Sequence, residues 1–139
     1  MKLNPYLTFI DNCEEAMNFY ASCLNGKIES IQHFGDAPMN VPEDRKNKVL
    51  HCVLRFGGDC IMASDSMNPV AGNIDKANTI SLSLDFDSLD EINNTFAKLS
   101  EGGKITMPLE NTFWNARFGM CIDKYGIPWM FSHDLPKKD

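Results

Sequence analysis

The run Asn111-Thr112-Phe113-Trp114-Asn115-Ala116-Arg117-Phe118-Gly119, followed by Asp123-Lys124-Tyr125-Gly126-Ile127-Pro128-Trp129, decides how this chain folds. Between positions 113 and 122 the alternating residues Trp114, Ala116, Phe118, Met120 and Ile122 are all apolar. The interleaved set, Phe113, Asn115, Arg117, Gly119 and Cys121, is mixed. A period of two predicts a strand with one buried face and one face free for other work. Asp123 to Gly126 supplies turn-tolerant residues, so the two runs predict a hairpin. Both tryptophans of the chain lie here, and large amphipathic rings suit a core or the wall of a ligand pocket.

Working outward, the segments before the hairpin read as one pattern used twice. Residues 5–10 predict a short strand, and Asp11-Asn12 offers a helix cap with Glu14 and Glu15 in the first turn, where the helix dipole favours negative charge. Ala16, Phe19, Tyr20 and Cys23 follow at helical spacing, and Asn25-Gly26 ends the helix. Strands are predicted over 27–34, 49–56 and 60–64. The third strand carries Leu50, Cys52, Leu54 and Phe56 on an apolar face and Val49, His51, Val53 and Arg55 on a mixed one. The connections 35–48 and 65–78 are long enough to act as mobile lids.

The pattern then restarts. Residues 79–86 place Ile80, Leu82, Leu84 and Phe86 on one side and Ser81, Ser83 and Asp85 on the other. Ser88-Leu89-Asp90-Glu91 is a capping box, and Leu89, Ile92, Phe96 and Leu99 trace a buried helical stripe ending at Gly102-Gly103. A strand over 104–109 and the opening hairpin complete the set. Asn25-Gly26-Lys27-Ile28 echoes Gly102-Gly103-Lys104-Ile105, and Phe19 echoes Phe96. The repeat predicts an α+β fold of tandem βαβββ modules, 1–66 and 78–135, within a single domain spanning 1–139. Curved, mainly antiparallel mixed sheets would then surround a shared cavity. The helices would seal the clean apolar faces and leave the mixed faces to line the hollow.

Composition narrows the function. A hydrophobic share of 43% and a charged share of 23% describe an ordinary globule large enough to fold without metal or disulfides. A net charge of −6 with scattered Lys and Arg excludes a nucleic-acid footprint. No apolar run reaches the roughly 20 residues that span a bilayer, and the first residues lead into a strand rather than a signal peptide, so no membrane association is expected. The odd set Cys13, Cys23, Cys52, Cys60 and Cys121 lacks C-x-x-C spacing, which predicts reduced thiols in a cytoplasmic protein.

The residues resemble the PhnB-like branch of the vicinal oxygen chelate superfamily, which includes glyoxalase I, the fosfomycin and bleomycin resistance proteins and extradiol dioxygenases. The matching stretches include Pro5-Tyr6-Leu7-Thr8-Phe9, Asn12 to Ala16 with Phe19-Tyr20, Lys48 to His51 and Ile61 to Asp65. They continue through Met107-Pro108-Leu109, Thr112 to Gly119, Asp123 to Gly126 and Trp129-Met130, covering nearly the whole chain. The resemblance implies paired βαβββ modules and a homodimer. Some members bear a ubiquinone methyltransferase label, which nothing in this sequence supports, since no Gly-rich strand-to-helix loop is present.

Metal-using members draw ligands from positions that fall here near Asn4 or Tyr6, near Met62 or Ser64, at Ser81 and at Met130. Hard divalent ions want carboxylates and zinc-like ions want imidazole or thiolate, so no metal ligands and no cofactor are expected. His51, mid-strand on the mixed face, is the candidate catalytic acid/base. Asp65 either orients it or serves as a turn residue. The expected ligand wall comprises Tyr6, His51, Met62, Asp65, Ser81, Trp114, Phe118 and Trp129. The resulting reading is a metal-free, small-molecule-binding dimer. The alternative is a metal-dependent lyase- or dioxygenase-type enzyme with its metal displaced to His51 and Asp65. The ligand's identity lies beyond the sequence.

Overall fold

A computed structural model gives the protein's structure and describes residues 3–38, 40–66 and 80–136. The chain divides into two compact units, Met1–Gly72 and Asn73–Asp139. The first contains β1 (Tyr6–Phe9), α1 (Cys13–Cys23), β2 (Lys27–His33), β3 (Val49–Phe56) and β4 (Asp59–Asp65). The second contains β5 (Leu82–Asp85), α2 (Leu89–Ser100), β6 (Lys104–Asn111), β7 (Ala116–Ile122) and β8 (Pro128–Asp134). Each is therefore βαβββ. The sheets run β1-β4-β3-β2 and β5-β8-β7-β6, with one parallel pair apiece, β1 with β4 and β5 with β8, and the rest antiparallel. Among the described residues no helix is long and apolar enough to cross a membrane.

The two units repeat in backbone detail. Asn25 and Gly102 end their helices with φ of 54° and 75°, the left-handed geometry that Gly and Asn accept at low cost. The glycine that follows each is fixed by close approach. A Cβ on Gly26 would lie 2.7 Å from the Arg55 carbonyl oxygen, and one on Gly103 would lie 2.3 Å from that of Ile122. Tyr6 pairs with Met62 as Ser83 pairs with Met130.

In the first unit α1 buries Cys13, Ala16, Met17, Tyr20 and Cys23, packing on the face of the sheet that presents Phe9, Cys52, Leu54, Ile61 and Ala63. Asn12 makes no side-chain cap. Its expected role passes to Asp65, whose carboxylate accepts from Cys13 N–H and Val49 N–H, both at 2.9 Å. The connection 35–48 is tied at its neck, with Phe34 N–H bonded to the Lys48 carbonyl and Gly35 N–H to that of Lys46. Buried Arg45 pins it further to Asp11 and to the Ser66 carbonyl. These ties fix both ends of the connection expected to act as a lid. The other expected lid falls mostly on residues 67–79, outside the described residues.

The second unit corrects two expectations. First, β7 starts at Ala116, not at Phe113. Residues 112–115 form the β6–β7 turn, in which Thr112 bonds the Ala116 backbone in both directions and Asn115 takes φ of 65°. Second, the faces of β7 are reversed. Gly119 and Cys121 are buried on the helix side, while Phe118, Met120 and Ile122 are half-buried on the open side. The reason is steric. A Cβ on Gly119 would sit 3.1 Å from Phe96 Cε2 of α2, so the helix packs where the strand is thinnest. Phe131 of β8 meets Phe96 edge-on at 5.0 Å on that side and stacks with Phe86 at 6.1 Å. Ser88 caps α2 as expected, accepting from Glu91 N–H at 3.1 Å.

Candidate functional site

On the open face of the first sheet, the parallel pairing of β1 with β4 sets Tyr6 beside Met62, and Met62 faces Val53 across β3. His51 shares that face through the two-residue period of β3. The Tyr6 hydroxyl and His51 Nδ1 are 3.0 Å apart, with the rings stacked at 5.7 Å and 26°. Two proton arrangements satisfy this bond: the phenol donates to a bare Nδ1, or Nδ1–H donates to the phenol oxygen and leaves Nε2 as a free base. Tyr6 is 47% exposed, so the pair is reachable from solvent. Tyr6, His51 and Met62 thus come together as expected.

Asp65 does not join them. It shares the parity of Ile61 and Ala63, faces the helix side and is 4% exposed. With both carboxylate oxygens bonded to Cys13 N–H and Val49 N–H, it caps α1 and cannot orient His51. A displaced metal on His51 and Asp65 would have to bridge opposite faces of the sheet.

On the open face of the second sheet, Met120 lies between Met107 and Met130, and Phe118 faces Ser132. Trp114, 53% exposed in the β6–β7 turn, meets Phe118 edge-on at 5.7 Å and Phe113 at 4.9 Å. Phe118 and Trp114 therefore belong to the accessible surface, and Ser81 is exposed just before β5. Trp129 does not belong with them. It pairs with Cys121 and Leu82 on the helix side, is 1% exposed and donates its indole N–H to Asp123 at 2.8 Å. Asp123 organises the whole β7–β8 turn, also accepting from Tyr125 N–H and Ile127 N–H. Sequence reading missed Met120 as a surface residue. The alternation that exposes it was visible, but the side on which the helix lay was not.

The other histidines are held structurally. His133 Nδ1–H donates to the Phe86 carbonyl at 2.8 Å. His33 Nε2 lies 2.7 Å from Glu14 Oε1, and this bond is the main cause that raises its pKa above the ordinary value.

The residues at the metal positions that the resemblance implies do not fit a metal. Asn4 accepts from the Cys60 thiol at 3.5 Å, and the Tyr6 hydroxyl is bonded to His51. Met62 and Met130 offer only thioethers, and Ser81 a hydroxyl. Neither a hard divalent ion nor zinc takes such a donor set. Among the described residues, no group of three His, Cys, Asp or Glu side chains is placed to hold a metal ion.

Comparison with known proteins places this arrangement. A family model described as 3-demethylubiquinone-9 3-methyltransferase matches residues 1–132. Protein YjdN of Escherichia coli (strain K12) is 32% identical over 142 residues, covering 95% of each chain. The crystal structure of PA1353 from Pseudomonas aeruginosa is 39% identical with a TM-score of 0.87, covering 98% of this chain and 99% of its own. A structure from Bacillus cereus, described as a putative 3-demethylubiquinone-9 3-methyltransferase, PhnB protein, is 31% identical with a TM-score of 0.80, covering 96% and 99%. In fold alone, a glyoxylase/bleomycin resistance protein/dioxygenase domain from Frankia sp. EAN1pec aligns at a TM-score of 0.69 and 11% identity, covering 99% and 95%. Matched by this family model over residues 1–132 and by relatives 31–39% identical over nearly their full length, the chain belongs to the 3-demethylubiquinone-9 3-methyltransferase (PhnB-like) family, and its two βαβββ units share the fold of a glyoxylase/bleomycin resistance protein/dioxygenase domain.

Proposed function

We infer that this protein binds a small, partly apolar molecule on its open sheet faces, works as a cytoplasmic homodimer and uses no chelated metal. The observation that carries the reading is the Tyr6–His51 pair, bonded at 3.0 Å and exposed beside Met62. An apolar surface with a few convergent polar groups is the usual make-up of a ligand site, and an imidazole with a fixed partner can orient a ligand or move its proton. The thioethers and rings of Met120, Met130, Phe118 and Trp114 support the same reading in the second unit. The methyltransferase description draws no support from the strand-to-helix turns: positions 10–12 and 86–88 contain no glycine to cradle a nucleotide-type cofactor.

The test is a thermal-shift screen of small apolar alcohols, acids and amines. A binder of the folded state raises Tm in proportion to the logarithm of its concentration. For a ligand on the first unit's face, His51→Ala is expected to weaken binding about tenfold or more, the effect of losing one good hydrogen bond. A screen without any saturable rise removes this reading, and ligands that are all indifferent to His51→Ala and Tyr6→Phe remove the first unit's face from it. Light scattering is expected to give twice the 15.7 kDa chain mass; a monomer at micromolar concentration removes the dimer.

A further inference from the structure

We propose that the open face of the second sheet selects organic cations with an apolar, aromatic body. The proposal rests on the small-molecule reading above and adds the sign of the ligand's charge. Strand register lays two rows across this face. One runs Met107, Met120, Met130, Ser83, and the next runs Glu110, Phe118, Ser132, Asp85. Asp134, opposite Ala116, follows on the same face. An aromatic and thioether floor is thus flanked by carboxylates on both edge strands, Glu110 on β6 and Asp85 on β5. Trp114 stands against Phe118 at one end of the floor.

At the C-terminal ends of β5 and β8, where Asp85 and Ser132 close the row that holds Phe118, a cavity of about 370 Å3 is lined by Asp85, Phe86, Asp87, Ser132, His133 and Asp134. That wall contains three aspartates, one histidine, His133, whose Nδ1–H is bonded to the Phe86 carbonyl, and no lysine or arginine. Among the described residues none of Asp85, Asp87, Asp134 and Glu110 forms an ion pair. Among the described residues the cation on this face is Lys104, two rows from Phe118 and opposite Ile122. The first sheet differs, because its Arg55 is matched by Glu29 at 2.9 Å.

Carboxylates with no ion pair among the described residues, beside an apolar floor, favour one ligand chemistry. An ammonium group gains ion pairs at Asp85 and Asp134, while its aromatic body covers Met120, Met130 and Phe118 and offers its charge to the ring faces. A neutral congener gains only the floor. An anion is repelled.

The experiment compares tryptamine, tryptophol and indole-3-propionate, which share one ring and differ in charge, on protein carrying 13C-methyl methionine. Tryptamine is expected to shift the Met120 and Met130 methyl resonances saturably and to bind about tenfold more tightly than tryptophol, the factor one close charge pair supplies at a partly screened site. Indole-3-propionate should bind more weakly than tryptophol. Asp85→Asn and, separately, Asp134→Asn, both at exposed positions, should lower tryptamine affinity towards that of tryptophol and leave tryptophol unchanged. Equal binding of tryptamine and tryptophol overturns the proposal but leaves the small-molecule reading standing. Preference for indole-3-propionate, or no methionine shift with tryptamine, also overturns it. The small-molecule reading itself falls only if the thermal-shift screen finds no ligand of any charge.

Discussion

Asp65 illustrates what a single residue conceals in a linear sequence. At the end of β4 it reads as a turn residue or as a partner for His51. Its actual partners, the backbone N–H groups of Cys13 and Val49, lie 52 and 16 positions away, and no local pattern announces them. His51 was legible because it is the one imidazole on the open parity of β3, and parity is a local property. The different roles of these two residues give a prediction. Asp65→Asn keeps the size but offers one acceptor oxygen where two N–H groups need acceptors. At a site only 4% exposed, the loss of stability should be about 1–3 kcal/mol by urea unfolding. Binding of any ligand that depends on His51 should be unchanged in Asp65→Asn. Reduced binding with intact stability would return Asp65 to the ligand wall.

At the scale of elements, the sequence of β7 carries its periodicity but not its orientation. Alternation distinguishes two faces of a strand but does not say which one a helix covers. The apolar set Phe118, Met120, Ile122 looked like the core side by composition. Volume decided otherwise: α2 needs room for Phe96, and Gly119 provides it. The same limit applies to Trp129, whose ring fills the helix side and whose indole N–H is bonded to Asp123. Gly119→Ala tests the assignment. The new methyl would lie 2.9 Å from Leu109 Cδ2 and 3.1 Å from both Phe96 Cε2 and the Met107 carbonyl oxygen. Overpacking of this kind costs about 1–3 kcal/mol. Gly58→Ala, with nothing within 4 Å of its added Cβ, should change stability by less than about 0.5 kcal/mol. Equal tolerance of the two substitutions in chemical unfolding would mean that α2 does not press on β7.

For the molecule as a whole, the repeat carried most of the legible information. Both copies meet the same constraints at the same places, a left-handed residue at 25 and 102 and a close backbone approach at 26 and 103. These constraints leave glycine and asparagine in the sequence where the eye can match them. The thiols, which the sequence predicts to be reduced, lie in both units. All five cysteines are free and buried, and that has a consequence for pH. Burial pushes the Cys52 thiol up to about 11 and that of Cys121 up to about 12 from a model-compound value of 9.0, and raises Cys13 further still, with Asp65 adding to it. Above pH 9 the unfolded chain releases these protons while the native state retains them. The native state then binds more protons, so stability falls as pH rises. The loss is about 1.4 kcal/mol per pH unit for each retained proton. It should begin near pH 9 and continue through pH 11, where Cys52 starts to ionise in the folded protein. Cys52→Ala removes one linked proton, so its Tm, lower at pH 7 because of the cavity it leaves, should decline less steeply between pH 9 and 11 than that of the parent. Parallel Tm curves for the two proteins over that window would show that Cys52 ionises as freely in the native state as in the unfolded one, and that its surroundings in β3 admit water.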